Sequence, residues 1–191
     1  MKRFVQTIIN IFSIEDLRVR ILNTIGFLMI FRLGSFIVLP GVDPNRLDPN
    51  RNSEGILGYL NNFLGGAFNN ASIFALGIMP YISASIIVQL LSFAVPYFQK
   101  LQKEGESGRK RLNQLTRVLT IVITIFQGYS YLKGGVIDSA AIIDSGAMFY
   151  VTSLALIISG TMFCMWLGER ITDKGIGNGI SMLIMIGIVS R

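Results

Sequence analysis

The sequence predicts an all-helical protein that crosses a membrane several times, and three observations support this fold class. Hydrophobic residues make up 51% of the 191-residue chain, and the mean hydropathy is +0.57. Charged residues make up 15%, against about 25% in soluble domains. The stretch from Gly55 to Gln99 contains no Asp, Glu, Lys or Arg, and it is more than twice the roughly 20 apolar residues that one membrane crossing needs.

This uncharged stretch is interrupted by Gly65-Gly66, Asn69-Asn70 and Pro80. Irregular backbone at membrane depth is tolerated only where protein buries it or where it lines a water-filled cavity. The stretch therefore predicts one crossing and, beside it, a broken segment that belongs to a pathway through the membrane.

Residues 1–20 are predicted to form a cytoplasmic amphipathic segment. Five apolar side chains can share one helical face: Phe4, Val5, Ile8, Ile9 and Phe12. A cleavable secretory signal is the alternative, but the apolar stretch is short, acidic residues follow it, and no small-residue cleavage site precedes the next apolar segment. We expect a retained helix that lies on the membrane surface.

Residues 21–191 are predicted to contain five membrane spans, at about 21–39, 71–95, 118–132, 147–167 and 180–191. The first span carries a single charge, Arg32. Pro80 lacks a backbone donor, so we expect it to bend the second span near its outer part. The fifth span stops after about ten apolar residues, too few to reach the far interface. We therefore expect a further C-terminal half, or a partner that supplies it.

The distribution of basic residues predicts the orientation of these spans. Twelve Lys and Arg residues fall on the side of the N-terminus and three on the opposite side, and such a bias marks the cytoplasmic face. The N-terminus, residues 96–117 and residues 168–179 are therefore predicted to be cytoplasmic. The twelve are Lys2, Arg3, Arg18, Arg20, Lys100, Lys103, Arg109, Lys110, Arg111, Arg117, Arg170 and Lys174; the three are Arg46, Arg51 and Lys133.

The residue types argue against enzymatic chemistry. The chain has no histidine and one cysteine, Cys164, which removes histidine-dependent zinc sites, serine catalysis and proton relays. The predicted spans contain no paired Asp and no Ser–His pair for an intramembrane protease. The glycine-rich stretch 175–179 lacks the GxxxxGK[ST] spacing of a phosphate-binding loop. We predict no enzyme activity, no metal site and no cofactor.

Three segments identify a resemblance to one family: RLGSFIVLPGVD at 32–43, ASIFALGIMPYISASIIVQLL at 71–91 with KEGESGRKRLNQLTR at 103–117, and GTMFCMWLGERITDKGIGNGIS at 160–181. These strings resemble the SecY family, the central pore subunits of bacterial protein-conducting channels. The resemblance covers nearly the whole chain except residues 44–58 and 133–146. It implies the first five transmembrane helices of a ten-helix channel built from two inverted halves.

The resemblance also implies a pore ring formed by Ile82, Ile86, Ile184 and Ile188. Each pair is four residues apart and so shares one helical face. A ring of aliphatic side chains closes a pore to ions by dewetting, yet it has no directional bonds that a moving peptide must break. Taken without the resemblance, isoleucines at this spacing are better explained as ordinary packing.

Residues 59–70 coincide with the family's plug, which blocks the closed pore from the external side and moves aside during transport. This segment is too polar for a lipid-facing helix, and Gly65 and Gly66 favour a bend. An ordinary re-entrant or external loop explains the composition equally well. The assigned plug residues are Tyr59, Leu60, Phe63, Leu64, Gly65, Gly66, Phe68, Asn69 and Asn70.

Gln89 and Gln127 match polar positions of the family's lateral gate, and Ser85 is assigned to the same gate. An unpaired amide inside an apolar span is costly, whereas interhelical polar contacts in membranes contribute only about 0.6 kcal/mol on average. Such contacts suit a seam that holds and yet opens. The alternative is that the two amides simply join helices without any gating role.

We interpret residues 100–117 as a cytoplasmic basic loop, with Lys100, Lys103, Arg109, Lys110 and Arg111 as its main charges. The orientation rule alone accounts for these charges, and contact with RNA or an acidic protein surface is a secondary possibility. The resemblance implies SecE- and SecG-type small membrane subunits, a SecA-type ATPase or a ribosome, signal peptides and nascent chains, and membrane lipid as partners.

The predicted function is a passive channel in the bacterial cytoplasmic (inner) membrane that conducts secretory polypeptides and releases transmembrane segments laterally. The alternative is a secondary transporter with a broken helix at the midplane. Transporters usually place ionisable groups within the membrane. Here only Arg32 qualifies, so the channel is favoured.

Overall fold

The computed structural model describes residues 13–47, 55–143 and 146–189, and in these ranges the protein is helical, with two isolated β-bridges. The predicted all-helical fold class is confirmed for these residues. Two short 3-10 helices, Pro44–Arg46 and Ser139–Ala141, lie in the connections. The α-helices are α1 (Glu15–Gly34), α2 (Gly55–Phe63), α3 (Met79–Ala94), α4 (Pro96–Lys103), α5 (Glu106–Lys133), α6 (Ala147–Lys174) and α7 (Gly179–Val189).

Helices α5 and α6, with 28 residues each, are long and apolar enough to cross a membrane. Helices α3 and α4 together are also long and apolar enough to cross a membrane, but they are bent by 100° at the break between them. Helix α7 is apolar and shorter, with 11 residues. The predicted third and fourth spans thus lie inside longer helices, which extend them on the basic side.

Helix α1 is displaced toward the N-terminus relative to the predicted span 21–39. It begins at Glu15 and ends at Gly34, where the ring of Phe74 packs so closely that there is no room for a Cβ. The chain then pairs with a later segment: the Leu39 amide donates to the Ala71 carbonyl at 2.8 Å, and the Ile73 amide to the Ile37 carbonyl at 2.9 Å. Residues 1–12 of the predicted amphipathic segment lie outside the described residues.

The predicted second span, 71–95, is helical only from Met79. Pro80 lies in the first turn of α3, where its missing donor costs nothing, so the prediction that Pro80 bends this span is wrong. The bend lies instead at Val95–Pro96. The residue before a proline is pushed out of the helical region, and Val95 is extended, with φ −111° and ψ 121°.

The basic residues predicted in a loop lie on two helices joined by a tight turn. Gly105 makes this turn with φ +74°, and Gly108 packs directly against the Leu101 carbonyl. A larger residue at position 108 would separate α4 from α5. The five basic side chains project from this helical hairpin and are exposed: Lys100 and Lys103 on α4, and Arg109, Lys110 and Arg111 on α5.

Helix α6 is the central element of the bundle. It packs against α1 and α7 and against α3 and α5. Close approach depends on glycine: a Cβ on Gly160 would collide with the Ile73 carbonyl, and one on Gly128 of α5 would lie 2.8 Å from the Leu154 side chain. Glycine lets membrane helices approach in this way. Helix α6 therefore joins two groups of helices.

Three buried threonines form a ladder along α5. The hydroxyl of Thr116 donates to the Leu112 carbonyl at 2.9 Å, that of Thr120 to the Thr116 carbonyl at 2.7 Å, and that of Thr124 to the Thr120 carbonyl at 2.7 Å. Each hydroxyl is thus satisfied within its own helix, as is common for threonine in helices.

Candidate functional site

The broken segment predicted from the uncharged stretch lies inside the helix bundle. After α2 ends at Phe63, residues 64–78 continue as successive turns rather than as a spanning helix. Most of their apolar side chains are buried, and they form part of both hydrophobic clusters of the protein. Irregular backbone is thus enclosed by protein, which is the condition under which membrane proteins tolerate it.

Residues 61–70, here called the turn unit, are held together by their own hydrogen bonds. Asn61 is buried, its carbonyl accepts the Gly66 amide at 2.9 Å, and its side-chain oxygen accepts the Asn69 amide at 3.0 Å. The Asn70 amide donates to the Gly66 carbonyl at 3.1 Å. Gly65 and Gly66 have φ values of +63° and +86°, a region that glycine enters without a steric penalty. The unit is therefore a compact piece of structure.

Two side chains from outside the turn unit donate to its backbone. The guanidinium of Arg32 on α1 donates from Nη1 to the Gly65 carbonyl at 2.8 Å. The hydroxyl of Tyr131 on α5 donates to the Phe68 carbonyl at 2.6 Å, and the rings of Tyr131 and Phe68 lie 5.0 Å apart. Sequence reasoning noted Arg32 as an isolated charge but assigned it no contact, and it did not single out Tyr131.

The segment also contacts α7. A Cβ built on Gly187 would lie 2.7 Å from the Phe63 carbonyl oxygen and 3.8 Å from the Gly65 amide nitrogen. The glycine thus lets the end of α2 rest directly on the backbone of α7. The remaining predicted plug residues differ in burial: Leu64 and Phe68 are buried, Leu60, Phe63, Gly66, Asn69 and Asn70 are half-buried, and Tyr59 is exposed.

The four predicted ring residues lie on α3 and α7. Ile82 and Ile184 pack against the same hydrophobic cluster, whereas Ile86 and Ile188 are each 51% exposed. The backbones of the two helices are not in close contact, since no Cα atom of described α3 residues lies within 8 Å of one in α7. In the described residues, one side chain of each pair is therefore exposed, on two helices whose backbones are not in close contact.

The predicted gate residues fall into two places. The Gln89 amide donates to the Ser85 hydroxyl at 3.3 Å, one turn earlier on α3, so these two residues are paired within their own helix. Gln127 instead lines a cavity of about 500 Å³ between α5 and residues 57–79. The hydrogen bonds of the described residues thus do not join the two glutamines directly.

This cavity brings the predicted gate helix and the predicted plug together. Its wall is mostly apolar, with Gln127, Ser130 and Tyr131 contributed by α5. Leu60, Leu64 and Phe68 line the opposite side.

Polar contacts connect α1, α5, α6 and α7 near the ends of these helices that carry the basic residues. Arg117 on α5 forms an ion pair with Glu169 on α6, in which the single nitrogen Nη2 donates to both carboxylate oxygens, at 2.9 and 2.7 Å. The turn between α6 and α7 is tied to α1, because the Thr24 hydroxyl accepts the Ile176 amide at 3.1 Å. The Asn178 side chain accepts the Ile180 amide at 3.0 Å and so caps α7.

No cluster of three or more His, Cys, Asp or Glu residues that could hold a metal ion occurs in residues 13–47, 55–143 and 146–189. The site consists of apolar side chains, backbone carbonyls and a few hydrogen-bond donors.

Comparison with known proteins gives one family. The SecY family model matches residues 72–191. The protein translocase subunit SecY of Escherichia coli (strain K12) is 48% identical over 187 residues, which cover 93% of this chain and 41% of that protein. The chain thus spans less than half the length of this relative.

Two solved structures share the fold. One is Sec61 in the canine ribosome–channel complex from the endoplasmic reticulum, with a TM-score of 0.63 at 16% identity, covering 91% of this chain and 39% of Sec61. The other is a SecY translocation channel described for its plug domain, with a TM-score of 0.57 at 18% identity, covering 91% of this chain and 38% of that one. At these identities the likeness concerns the fold.

Proposed function

Because the chain belongs to the SecY family, we propose that it forms part of the central pore of a protein translocase, one that conducts secretory polypeptides across the membrane and releases transmembrane segments laterally. The observation that supports this most directly is the irregular, uncharged segment 64–78 enclosed by helices α1, α5, α6 and α7. Irregular backbone enclosed in this way is compatible with a pathway through the membrane.

Residues 59–70 act as the plug in this proposal. The related SecY structure is described as having a plug domain that stabilises the closed state of the channel and maintains a membrane seal. Here the same role is supported by the compact turn unit, which rests on α7 through backbone contact at Gly187. The internal hydrogen bonds of the unit would not have to break if it moved as one body.

Ile82, Ile86, Ile184 and Ile188 form one half of the pore ring in this proposal. The separation of α3 from α7 and the exposure of Ile86 and Ile188 support it, because a ring must present side chains to an opening. Aliphatic side chains exclude hydrated ions by dewetting.

The lateral gate lies on α3 and α5. Ser85, Gln89 and Gln127 place a small amount of polarity on an otherwise apolar surface, which includes Leu90 at 61% and Phe126 at 72% exposure. An apolar signal or transmembrane segment would bind there before it passes to lipid.

The protein lies in the bacterial cytoplasmic membrane with its N-terminus in the cytoplasm, as the excess of twelve basic residues over three indicates. Its partners are SecE- and SecG-type small subunits, with a SecA-type ATPase or a ribosome. The canine Sec61 relative was solved in a ribosome–channel complex. In this proposal the channel is passive, and such a partner supplies the driving force.

Cross-linking of a stalled precursor tests the channel function. Single cysteines at positions 86 and 188 in the complete channel complex should cross-link to a precursor arrested during translocation. The native Cys164 is fully buried and should not react. A cysteine at Val151, which is 66% exposed on α6, is the matched control and should stay unlabelled. Absence of cross-links at 86 and 188, or equal cross-linking at 151, would show that the path lies elsewhere.

A further inference from the structure

We propose that Arg32 and Tyr131 form a two-point clamp that holds the plug closed and couples its release to movement of α1 relative to α5. This inference rests on the proposed function, since it assigns positioning residues to the proposed plug. Arg32 holds the Gly65 carbonyl at 2.8 Å, and Tyr131 holds the Phe68 carbonyl at 2.6 Å.

Both clamp contacts are well placed to hold a small element. The Tyr131 side chain is 3% exposed, and a hydrogen bond shielded from water is stronger than the same bond in water. The Arg32 bond is charge-assisted and partly buried, which makes it stronger than a bond between neutral groups. The Arg32 guanidinium also lies over the Phe36 ring, 4.9 Å from its centre, which fixes its direction.

The clamp joins two helices whose backbones are not in close contact. In the described residues, no Cα atom of α1 lies within 8 Å of one in α5. The turn unit spans the gap, because Arg32 on α1 and Tyr131 on α5 donate to carbonyls only three residues apart. Any separation of these two helices must therefore break at least one of the two hydrogen bonds or carry the turn unit along.

The position of Tyr131 connects the clamp to the proposed gate. Tyr131 follows Gln127 by one helical turn, and both line the cavity of about 500 Å³ that the plug side chains Leu64 and Phe68 close from the other side. An apolar segment that displaces α5 at the gate thus acts on the hydroxyl that holds the plug. Release of the plug follows from binding at the gate without a separate signal.

The test is the ion conductance of the complete channel complex in planar bilayers, measured without precursor. Tyr131→Phe removes one hydroxyl and keeps the ring, and we expect the resting open fraction to rise about five-fold, as for loss of an average hydrogen bond. Arg32→Gln should raise it about ten-fold or more, since the lost bond is charge-assisted. The double variant should approach the product of the two effects.

Matched controls lie on the same helices. Tyr129→Phe makes the same chemical change two residues away, on a side chain that is 52% exposed. Arg20→Gln changes an exposed arginine on α1 that pairs with Asp16. Both controls should keep the resting conductance of the wild type. The Tyr131 variant should still assemble into the complete complex, which a general loss of structure would not allow.

Deletion of residues 59–70 shows whether a negative result refutes the clamp alone or the plug function as well. If the deletion raises the resting conductance while Tyr131→Phe and Arg32→Gln stay within two-fold of wild type, the clamp is wrong and the plug stands. If the deletion has no effect, the plug function fails and the clamp fails with it. A Tyr129→Phe effect as large as that of Tyr131→Phe would also overturn the clamp. Should Arg32→Gln not assemble, Arg32→Lys keeps the charge and provides a second test.

Discussion

Substitution of Gly187 by alanine tests whether direct backbone contact between α7 and the plug helps to close the channel. The added Cβ would lie 2.7 Å from the Phe63 carbonyl oxygen. That distance must grow by about 0.7 Å to reach the 3.4 Å at which ordinary van der Waals contact begins. The added methyl group therefore pushes the end of the proposed plug and α7 apart.

The cost of such overpacking is about 1–3 kcal/mol. If it falls on the closed state alone, the resting open fraction rises by about five-fold to about 150-fold. Alanine also favours helix formation over glycine by roughly 0.5–1 kcal/mol, so α7 itself should not be weakened. The expected result is a leaky channel with an intact fold.

The assay is again resting conductance of the complete complex, accompanied by its thermal unfolding midpoint. Gly26→Ala on α1 is the control, because no atom lies within 4 Å of the added Cβ. It gains the same helix propensity and should leave the conductance unchanged. If the Gly187→Ala channel has a resting conductance as low as that of the Gly26→Ala channel, the proposed plug does not rest on α7 in the closed channel, and the reasoning is refuted.

Two further predictions concern stability rather than conductance. Thr24→Val should lower the unfolding free energy by about 1–3 kcal/mol, because the half-buried Ile176 amide loses its acceptor. The control is Thr152→Val, whose exposed hydroxyl donates within its own helix, and it should change the unfolding free energy by less than about 0.5 kcal/mol. Equal thermal unfolding midpoints for the two variants would contradict this prediction. A double-mutant cycle of Arg117→Gln and Glu169→Gln should give a coupling of about 0.5–1 kcal/mol, since the side chains are 48% and 32% exposed. The coupling should fall in high salt, and a coupling that high salt leaves unchanged would contradict a screened ion pair.

Hydropathy and residue patterns placed apolar segments inside the two longest helices of the described residues, but not the ends of these helices. The apolar cores of α5 and α6 were readable because a sustained apolar run of about membrane thickness is typical of a spanning helix. Residues 71–78 are as apolar as the helix that follows, so composition placed them in the second span. Their irregular backbone is specified by partners distant in sequence, such as Ile37 and Leu39, which a local pattern does not reveal.

The contacts of the candidate site were harder to predict for the same reason. Arg32 and Tyr131 both donate to backbone carbonyls, 33 and 63 residues away. A carbonyl acceptor leaves no trace in the sequence, because every residue has one. A tyrosine at the end of an apolar helix is typical of a membrane interface, and nothing local distinguishes Tyr131 from such a residue.

The threonine ladder of α5 determines the kind of surface that this helix presents to its neighbours. Thr116, Thr120 and Thr124 direct their hydroxyls along their own helix, so they offer adjoining helices only smooth methyl surface. A shift of α5 by a fraction of a turn would rupture none of these bonds. Contact at this surface therefore depends on shape alone, a property that would allow the proposed gate helix to move and return without breaking polar contacts here.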